Sequence, residues 1–394
     1  MPALSVLPRI ERYNAGREPE RRARKYEAMR RSAFGFLRGT SHLFHEDWQG
    51  EAVLDRTPLA WISGDLHLEN FGSYKADNRL AYFDLNDFDE ATLAPCARDL
   101  ARFVTAVLVA GRSAGLRDRD ARPLAAGFLA AYRAALAEGK ARWVERQTAV
   151  GMVRTLLEES RYLTRKRLLG IRTRGLGRRR RLRLGKRALR VTDEQREKVA
   201  RILERFAAGE PDPEFYRLID VARRVAGSAS LGLERYVLLV EGRGYPDKLA
   251  LLDLKQAIHP TLASGAASRL AWPTEAERVV SIQRRVQVVS PALLHPARDG
   301  KRSFVLRELQ PTQARLSLES WDRSLDLKGL MTTLGQVVAW SHLRSGGRQG
   351  SAIADEWIAF ADRKHWGPAL MEFAVGYSRR VEEDWREFVE TVGR

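Results

Sequence analysis

The segment GDLHLENFG, residues 64–72, decides what fold and chemistry this chain is expected to have. It follows the apolar run TPLAWIS at 57–63 and precedes the run RLAYFDL at 79–85, and both runs are typical of short strands. Asp65 and Asn70 therefore lie five residues apart on a polar turn between two predicted strands. One loop thus holds a carboxylate and an amide oxygen near each other.

A second acidic position follows the next strand. Asp87 follows the run AYFDLN and begins Asp-Phe-Asp-Glu. Phosphoryl transfer needs a carboxylate that accepts the proton of the attacking hydroxyl, and it needs oxygen ligands for Mg²⁺, whose remaining ligands come from phosphates. The spacing of Asp65 and Asn70 alone also fits a hairpin turn with solvated polar side chains. The additional acids, Asp87 and Asp99 at the start of the next helix, favour the catalytic interpretation.

The composition is that of a globular protein. The chain has 394 residues, 44% hydrophobic and 30% charged, which is enough for two lobes with separate cores. The sequence contains no apolar run of membrane-spanning length, and its first residues lack the pattern of a secretory signal. The single cysteine, Cys96, excludes an internal disulfide and fits a reducing compartment. We therefore expect a cytoplasmic protein.

The net charge of +18 is concentrated in one segment, residues 161–190, which we call the Arg-rich strip. The strip holds 14 Lys and Arg and no Asp or Glu, so the rest of the chain carries about +4. It either binds an anionic partner, such as a phosphate backbone or an acidic or phosphorylated substrate, or forms a solvated, partly disordered loop. No aromatic residue interleaves the run of arginines, so base stacking is not indicated.

The remaining pattern divides near residue 220. Helices are predicted at 17–47, from Asp99 to about Leu157, and from Thr192 onward. Beyond residue 220 the sequence predicts three strands with two turns, the helix TEAERVVSIQRRVQVV, a strand pair around SFVLREL, and further helices to the end.

The pattern SGDLHLENFG…YFDLNDFDEATLAPCARDLAR resembles the catalytic segment of aminoglycoside phosphotransferases and related small-molecule kinases. The resemblance implies that Asp65 is the catalytic base and that Asn70 and Asp87 are metal ligands. It also implies that Asp99 is a buried organiser of the loop. Ser63 stands where these proteins usually have His, at a mostly structural position.

The region after residue 220 has the element order of a kinase small lobe, with a Gly turn, a strand Lys and a helix Glu. Ala229 replaces the middle glycine of the turn, and an ordinary turn with a solvated strand-end lysine is the alternative. Either Glu275 or Glu277 is available to hold the lysine. The residues predicted to contact ATP are Gly227, Ser228, Ser230, Gly232, Lys255 and Glu277.

Kinases place the Gly-rich lobe before the catalytic loop, whereas here the loop comes first. We therefore predict an α+β, protein-kinase-like two-lobed fold that is circularly permuted. Residues 1–215 form a mainly helical part of the large lobe with the catalytic loop at 62–90, residues 216–320 form a small antiparallel β lobe, and residues 321–394 complete the large lobe. The arrangement is similar to an uncharacterised bacterial family, domain of unknown function 2252, including its late motif, here WSHLRSGG with His342, Arg344 and Ser345.

Further side chains are candidates for supporting roles, each with a structural alternative. His67 either contacts phosphate or shapes the turn, and Arg38 either binds phosphate or lies on a helix surface. His342 either reaches the site or is a core histidine. Asp89 and Asp99 are the remaining acidic candidates. The His and Cys residues show no spacing typical of a zinc site.

These features predict an ATP- and Mg²⁺-dependent phosphotransferase that acts on a small-molecule or protein hydroxyl. The imperfect Gly turn leaves a second interpretation, a nucleotide-binding pseudokinase. A third is a basic nucleic-acid-binding protein that acts through the Arg-rich strip.

Overall fold

A computed structural model describes residues 5–48, 52–227, 231–244, 247–262, 271–310 and 326–392. The helices are α1 (Val6–Tyr13), α2 (Pro19–Arg30), α3 (Ala33–Gly39), α4 (Ser41–Glu46), α5 (Ala52–Asp55), α6 (Ala97–Ser113), α7 (Asp118–Ala137), α8 (Gly151–Arg161), α9 (Arg165–Arg172), α10 (Asp193–Ala207), α11 (Glu275–Val286), α12 (Leu327–Ser345), α13 (Ala354–Asp362) and α14 (Trp366–Val392). The strands are β1 (Leu59–Ile62), β2 (Phe71–Lys75), β3 (Ala81–Leu85), β4 (Thr92–Pro95), β5 (Val144–Glu145), β6 (Thr173–Arg174), β7 (Arg181–Leu182), β8 (Ala188–Leu189), β9 (Leu218–Arg224), β10 (Arg235–Glu241), β11 (Leu249–Ala257), β12 (His295–Asp299) and β13 (Arg302–Glu308).

The largest sheet has six antiparallel strands in the order β12-β13-β11-β10-β9-β8. Leu and Val dominate β10 and β11, and nearly every residue of these two strands is buried, as expected when both faces of a sheet are covered. Lys255 of β11 lies opposite Arg235 of β10 and Val305 of β13. The lysine is therefore held by an interior strand.

One face of this sheet is covered by α10. Thr192 and Gln195 form a reciprocal capping box at its start, which satisfies two backbone N–H groups that otherwise lack helical partners. Val199, Ile202 and Leu203 follow at helical spacing and pack against the even-numbered side chains of β10 and β11.

The opposite face is covered by the Arg-rich strip, which folds into α9, β6, β7 and β8. Leu169 of α9 and Leu182 of β7 are buried in a cluster with Val237 and Leu251 of the sheet. The backbone N–H of Leu182 donates to Asp220 Oδ2 at 2.8 Å. Most arginines of the strip are exposed, as a solvated segment requires, but the strip is not a loop, because apolar residues between the arginines fix it to the sheet.

The helical part of the molecule has its own core, built mainly by α6, α7, α12 and α14. The helices α7 and α12 approach closely at Gly335, where a Cβ atom would lie 2.3 Å from the carbonyl oxygen of Phe128. Helix α11, which links β11 to β12 in sequence, also buries Ala276, Val279 and Ile282 in this helical core. It therefore joins the sheet to the helices.

Two small sheets position the segments that carry the candidate acids. The strands β1 and β4 pair antiparallel, with Ile62 opposite Thr92, and β2, β3 and β5 form a second antiparallel sheet, with Gly72 opposite Asp84. The turn that follows β1 ends where β2 pairs with β3, and the segment that follows β3 ends where β4 pairs with β1. The register of the strands therefore fixes where the turn and the segment end.

The structure confirms a fold of mixed helices and antiparallel sheets and differs from the sequence-based expectation in several places. The helix predicted at 17–47 is divided into α2, α3 and α4, and Ser32 caps α3 by accepting a hydrogen bond from the backbone of Gly35. The turn-rich piece contains β2. The last helix of the region predicted to end near Leu157 begins only at Gly151 and continues to Arg161.

The predicted boundary at residue 215 lies between the six-stranded sheet and two elements that pack on it, α10 and the Arg-rich strip. Among the described helices, none has the length and apolar composition that crossing a bilayer requires.

Candidate active site

The turn after β1 is fixed by Asp99, in the first turn of α6. The carboxylate of Asp99 accepts hydrogen bonds from the backbone N–H of Ser63 at 2.7 Å and of Gly64 at 2.9 Å. Burial raises the pKa of Asp99 to about 6, although these hydrogen bonds act in the opposite direction. A buried acceptor on a rigid helix thus holds the backbone directly before Asp65.

Gly64 allows this turn to contact the acidic segment that follows β3. Its φ is +81°, and a Cβ atom on it would lie 2.1 Å from the carbonyl oxygen of Glu90. The Nε2 atom of His45 lies 2.7 Å from the Gly64 carbonyl oxygen. Because burial lowers the pKa of His45 to about 3, this imidazole is neutral and donates its Nε2–H.

Asp65 is buried and faces a guanidinium from α6. Arg102 donates from Nε at 3.0 Å and from Nη2 at 2.9 Å to Asp65 Oδ1, and it also donates to the carbonyl oxygen of Leu37. The pKa of Asp65 is raised to about 7. Burial is the main cause, and the charges of Glu90 and Asp87 act in the same direction, against the attraction of Arg102. A carboxylate with a pKa near neutrality is suited to proton transfer at physiological pH.

Asn70 is held in the same loop by a short 3₁₀ turn, Leu68–Asn70. Its side-chain amide donates to the carbonyl oxygen of Asp65 at 2.9 Å, which leaves Oδ1 as the atom able to ligate a cation. The carbonyl oxygen of Asn70 accepts a hydrogen bond from the Asn86 backbone at 2.7 Å. This bond joins the loop to the residue before Asp87.

Asp87 and Asp89 meet Lys255 of the six-stranded sheet. The lysine Nζ lies 3.6 Å from Asp87 Oδ1 and forms a closer ion pair with Asp89. The Lys255 side chain is 9% exposed, so most of it has left water. Residues that are 168 positions apart in sequence are thereby brought together.

A cavity of about 30 Å³ lies at the centre of these groups. Six lining residues come from the two segments just described, and four come from other parts of the chain. The residues are Ser63, Asp65, Asn70, Asp87, Asp89, Glu90, Tyr13, Arg17, Leu233 and Ile258.

The donor set fits a hard divalent cation that shares its ligands with phosphates. Asn70, Asp87 and Asp89 offer amide and carboxylate oxygens, the ligand type that Mg²⁺ prefers. Within the described ranges, no group of three or more His, Cys, Asp or Glu side chains is placed to hold a metal alone.

The predicted Gly turn joins β9 to β10 and approaches the cavity. Gly227 and Gly232 have φ values of +78° and +97°, a conformation that glycine adopts at little cost. Arg17 donates to the carbonyl oxygen of Leu231 at 2.8 Å, and Leu233 lines the cavity. Ser228 and Ser230, together with Ala229, lie outside the described residues.

The prediction that Glu277 or Glu275 holds Lys255 is wrong. Both acids lie in the first turn of α11 and have other partners. Glu277 accepts hydrogen bonds from Arg298 at 3.1 and 3.2 Å, and Glu275 pairs with Arg278 at 2.6 Å. The lysine pairs instead with Asp87 and Asp89, which approach it from the acidic segment.

Arg278 links α11 to that acidic segment. Its Nη2 donates to the carbonyl oxygens of Asp89 at 2.8 Å and Ile258 at 3.0 Å, and its Nη1 donates to the carbonyl oxygen of Ala91. The side chain is only 5% exposed. The position of the segment that carries Asp87 and Asp89 thus depends on this helix.

The supporting candidates lie in different places. His67 is buried, and its Nδ1 accepts a hydrogen bond from the Glu69 backbone at 3.2 Å, which shapes the loop. Arg38 pairs with Glu69 at 2.8 Å. His342 lies in the helical core, where Tyr132 is 2.9 Å from its Nδ1 and its ring stacks on Trp357. Of the two interpretations of His342, the structure corrects the first, because the ring is enclosed by core side chains.

The polar residues of the site that the sequence interpretation missed include Tyr13, Arg17, Glu90 and Arg102. Tyr13 donates to Glu90 at 3.1 Å, and Arg17 comes from the segment between α1 and α2. Arg102 lies three residues after Asp99 on one helix, a spacing that places both on the same helix face. That spacing was the only signal available for Arg102, and no local pattern pointed to Tyr13 or Arg17.

One family of proteins matches nearly the whole chain. The family, DUF2252, is described as an uncharacterized protein conserved in bacteria, and it matches residues 17–391. Comparison with curated proteins and with solved structures finds no match. The matched range contains both candidate acid segments, the sheet with Lys255 and the C-terminal helices. The chain therefore belongs to the DUF2252 family of bacterial proteins.

Proposed function

We propose that the protein is an ATP- and Mg²⁺-dependent phosphotransferase with a protein-kinase-like active site. The observation that carries the proposal is the meeting of Lys255 with Asp87, at 3.6 Å, beside a cavity that also contains Asp65 and Asn70. In protein kinases, a strand lysine contacts the nucleotide phosphates, and an Asp and an Asn hold the metal ions. Here the same residue types converge from two distant parts of the chain.

Each residue has a defined role in this proposal. Asp65 accepts the proton of the acceptor hydroxyl as its oxygen bonds to the terminal phosphorus, and the bond from that phosphorus to the leaving diphosphate breaks. Asn70 and Asp87 hold Mg²⁺, and Lys255 neutralises charge on the phosphates. Arg102 keeps the Asp65 carboxylate in place by its two hydrogen bonds.

The order and pairing of the strands support a kinase-like small lobe. The Gly turn joins β9 to β10, Lys255 lies on the third strand β11, and α11 separates that strand from β12 and β13. The position of the chain termini supports circular permutation. The backbone N–H of Val6 donates to Glu387 of α14 at 2.9 Å, so the two ends of the described chain are neighbours, as permutation requires.

A nucleotide-binding module without transfer activity is the second candidate. The observation that favours it is the ion pair between Arg102 and Asp65, because a carboxylate held by a guanidinium is a weaker base. The two candidates differ only in whether Asp65 accepts a proton during turnover.

The test compares ATP binding and turnover in matched variants. We expect ATP with Mg²⁺ to stabilise the protein by about 2.7 kcal/mol at a hundredfold excess over Kd, and Asp87→Asn to abolish the Mg²⁺-dependent part of the shift. Asp65→Asn should retain binding and reduce turnover by roughly 10²–10⁴ in an acceptor screen with labelled ATP. Asp355→Asn, on the exposed surface of α13, is the control.

Failure to stabilise the wild-type protein with ATP and Mg²⁺ would contradict both candidates. Binding without turnover in the wild-type protein, under conditions that cover many acceptors, would favour the binding module. Equal turnover in the wild-type protein and in Asp65→Asn would remove Asp65 from the role of base.

A further inference from the structure

A second cavity, of about 350 Å³, lies between the Arg-rich strip and the six-stranded sheet. Five cationic side chains line it, and no carboxylate does among the described residues. The cationic residues are Arg172, Arg183, Lys186, Arg187 and Arg224. Its volume is within the range of small-molecule sites, whereas the catalytic cavity has room for little more than water.

The charge of Arg224, which lines this cavity, is only partly neutralised. Arg224 pairs with Asp253 at 2.7 Å, but the same carboxylate also pairs with Arg235 at 2.6 Å and with Arg307 at 3.6 Å. Burial, and then repulsion from Arg235 and Arg307, lowers the pKa of Arg224 to about 9 against the attraction of Asp253. Three guanidinium groups thus share one carboxylate.

The walls of the cavity are fixed by hydrogen bonds of the backbone. The Arg183 N–H donates to the carbonyl oxygen of Arg172 at 2.8 Å, and the Val225 N–H donates to the carbonyl oxygen of Arg187 at 3.0 Å. Leu182 and Val237, both buried, add an apolar wall. The backbone that carries the cations is therefore preformed around a concave site, which lowers the entropy cost of binding a ligand.

The cavity lies on the sheet face that carries Lys255. Asp253, the partner of Arg224, is two residues before Lys255 on β11, and side chains two residues apart on a strand project from the same face. On this face, a row of charged side chains therefore runs from the second cavity, through Arg224 and Arg235, to Lys255, the partner of Asp87 and Asp89.

We propose that this second cavity binds a small molecule that carries two or more phosphate groups. Guanidinium groups bind phosphate oxygens in a bidentate manner, and several cations around one concave volume select a multiply charged anion. A concave volume of about 350 Å³ is of the size that accepts a phosphorylated metabolite or the end of a nucleotide. The site is separate from the metal-binding acids, so it does not depend on the proposed transfer reaction.

The test uses inorganic tripolyphosphate and the full chain, in Mg²⁺-free buffer at physiological salt, measured by calorimetry. The pocket variant is Lys186→Glu with Arg187→Glu. The control is Arg167→Glu with Arg190→Glu, which makes the same change in net charge at exposed positions of the Arg-rich strip outside the cavity lining. We expect the pocket variant to weaken binding by about tenfold or more and the control by less than about threefold.

Thermal melts followed by circular dichroism verify folding, and the neutral pair Lys186→Gln with Arg187→Gln provides a milder variant. Equal weakening in the pocket and control variants, or no binding to the wild-type protein, would overturn the proposal. Asp355→Asn, on the exposed surface of α13, should leave binding unchanged.

A second arm with ATP identifies the source of the phosphates. Competition between ATP and tripolyphosphate, with both lost in the pocket variant, assigns the cavity to the nucleotide. Loss of tripolyphosphate binding with unchanged ATP binding assigns it to a phosphorylated acceptor. Both results support the site, and they differ only in the molecule that carries the phosphates.

Discussion

At the scale of single residues, Asp65 experiences two opposed effects. Burial disfavours its charged form, and Arg102 favours it through two hydrogen bonds to one oxygen. The nearby acids Glu90 and Asp87 add repulsion. The balance leaves a carboxyl group that changes charge near pH 7, which is the range where a general base is most effective.

We predict that Asp65 titrates with a pKa of about 7 in the metal-free protein, measured by NMR of its carboxyl carbon. Glu90→Gln should lower this pKa because it removes a repelling charge, and Arg102→Met should raise it because it removes an attracting one. Since the folded pKa exceeds the unfolded one, this group contributes stability at low pH that is lost as pH rises through about 7.

Glu204→Gln, on the exposed side of α10, is the control and should leave the titration of Asp65 unchanged. An Asp65 pKa near 4 in the wild-type protein would show that Arg102 outweighs burial.

The second prediction at this scale concerns Gly64. Gly64→Ala should destabilise the protein by more than Gly115→Ala in urea unfolding. Both glycines have φ near +80°, so both substitutions carry the same backbone cost of roughly 1–2 kcal/mol. Only at Gly64 does the new methyl group also overlap a neighbour, the carbonyl oxygen of Glu90, whereas Gly115 faces open space.

Equal effects of the two substitutions would mean that the turn and the acidic segment separate easily. A loss of Mg²⁺-dependent ATP binding in Gly64→Ala, with binding retained in Gly115→Ala, would agree with a role for this contact in holding the metal-binding acids.

The candidate residues were predictable where the chemistry is local. Asp65, Asn70 and Asp87 follow apolar runs at short spacing, so a single sequence points to them, and the structure places them in one cavity. Arg17 reaches the cavity from a segment with no such pattern. The partner of Lys255 was mistaken because a helix glutamate and a strand-end aspartate carry the same charge, and only packing decides which one is within reach.

At the scale of elements, the Arg-rich strip is folded by a few apolar side chains. Leu169 and Leu182 are buried against the sheet, and Asp220 and Asp247 pair with atoms of the strip. The overall charge of the strip concealed this pattern, because the arginines between the leucines suggested a solvated loop. The strands β2 and β5 were also missed. Turn-forming residues surround β2, and β5 is too short to show a strand pattern.

We predict that Leu169→Ala destabilises the protein by roughly 2–5 kcal/mol, the usual cost of removing a buried leucine side chain. Leu176→Ala, in the same strip but 79% exposed, should change the free energy of unfolding by less than about 0.5 kcal/mol. Urea unfolding followed by circular dichroism measures both values. Equal, small effects would indicate that the strip does not pack on the sheet in solution.

At the scale of the whole molecule, the chain order and the spatial order differ. The helical core contains residues from both ends of the chain, from α1 as well as from α14. The six-stranded sheet comes from the part of the chain between them. Mixed helices and antiparallel strands were predictable from periodicity. The division into lobes was less predictable. The sequence pattern of α10 continues the preceding helical region, but the helix packs on the sheet that follows it.

We predict that a circular permutant folds when residues 394 and 1 are joined by a short Gly/Ser linker and the chain is opened after Gly209. Ser5 and Val6 already bond to Glu387, and Gly209 is an exposed residue after α10. Loop closure of this kind should change the free energy of unfolding by only about 1–2 kcal/mol. Circular dichroism melts check this, and an aggregated or non-cooperative product would contradict it.

The three carbonyl oxygens bound by Arg278 have a consequence for distant mutations. This guanidinium does not line the cavity at Asp65, yet it fastens α11 to the segment that carries Asp87 and Asp89, the acids proposed to bind metal. A shortened side chain there would let the acidic segment drift without altering any reacting group. Random mutagenesis scored by function should therefore reveal an intolerant position at 278 that a search confined to substrate-contacting residues would overlook.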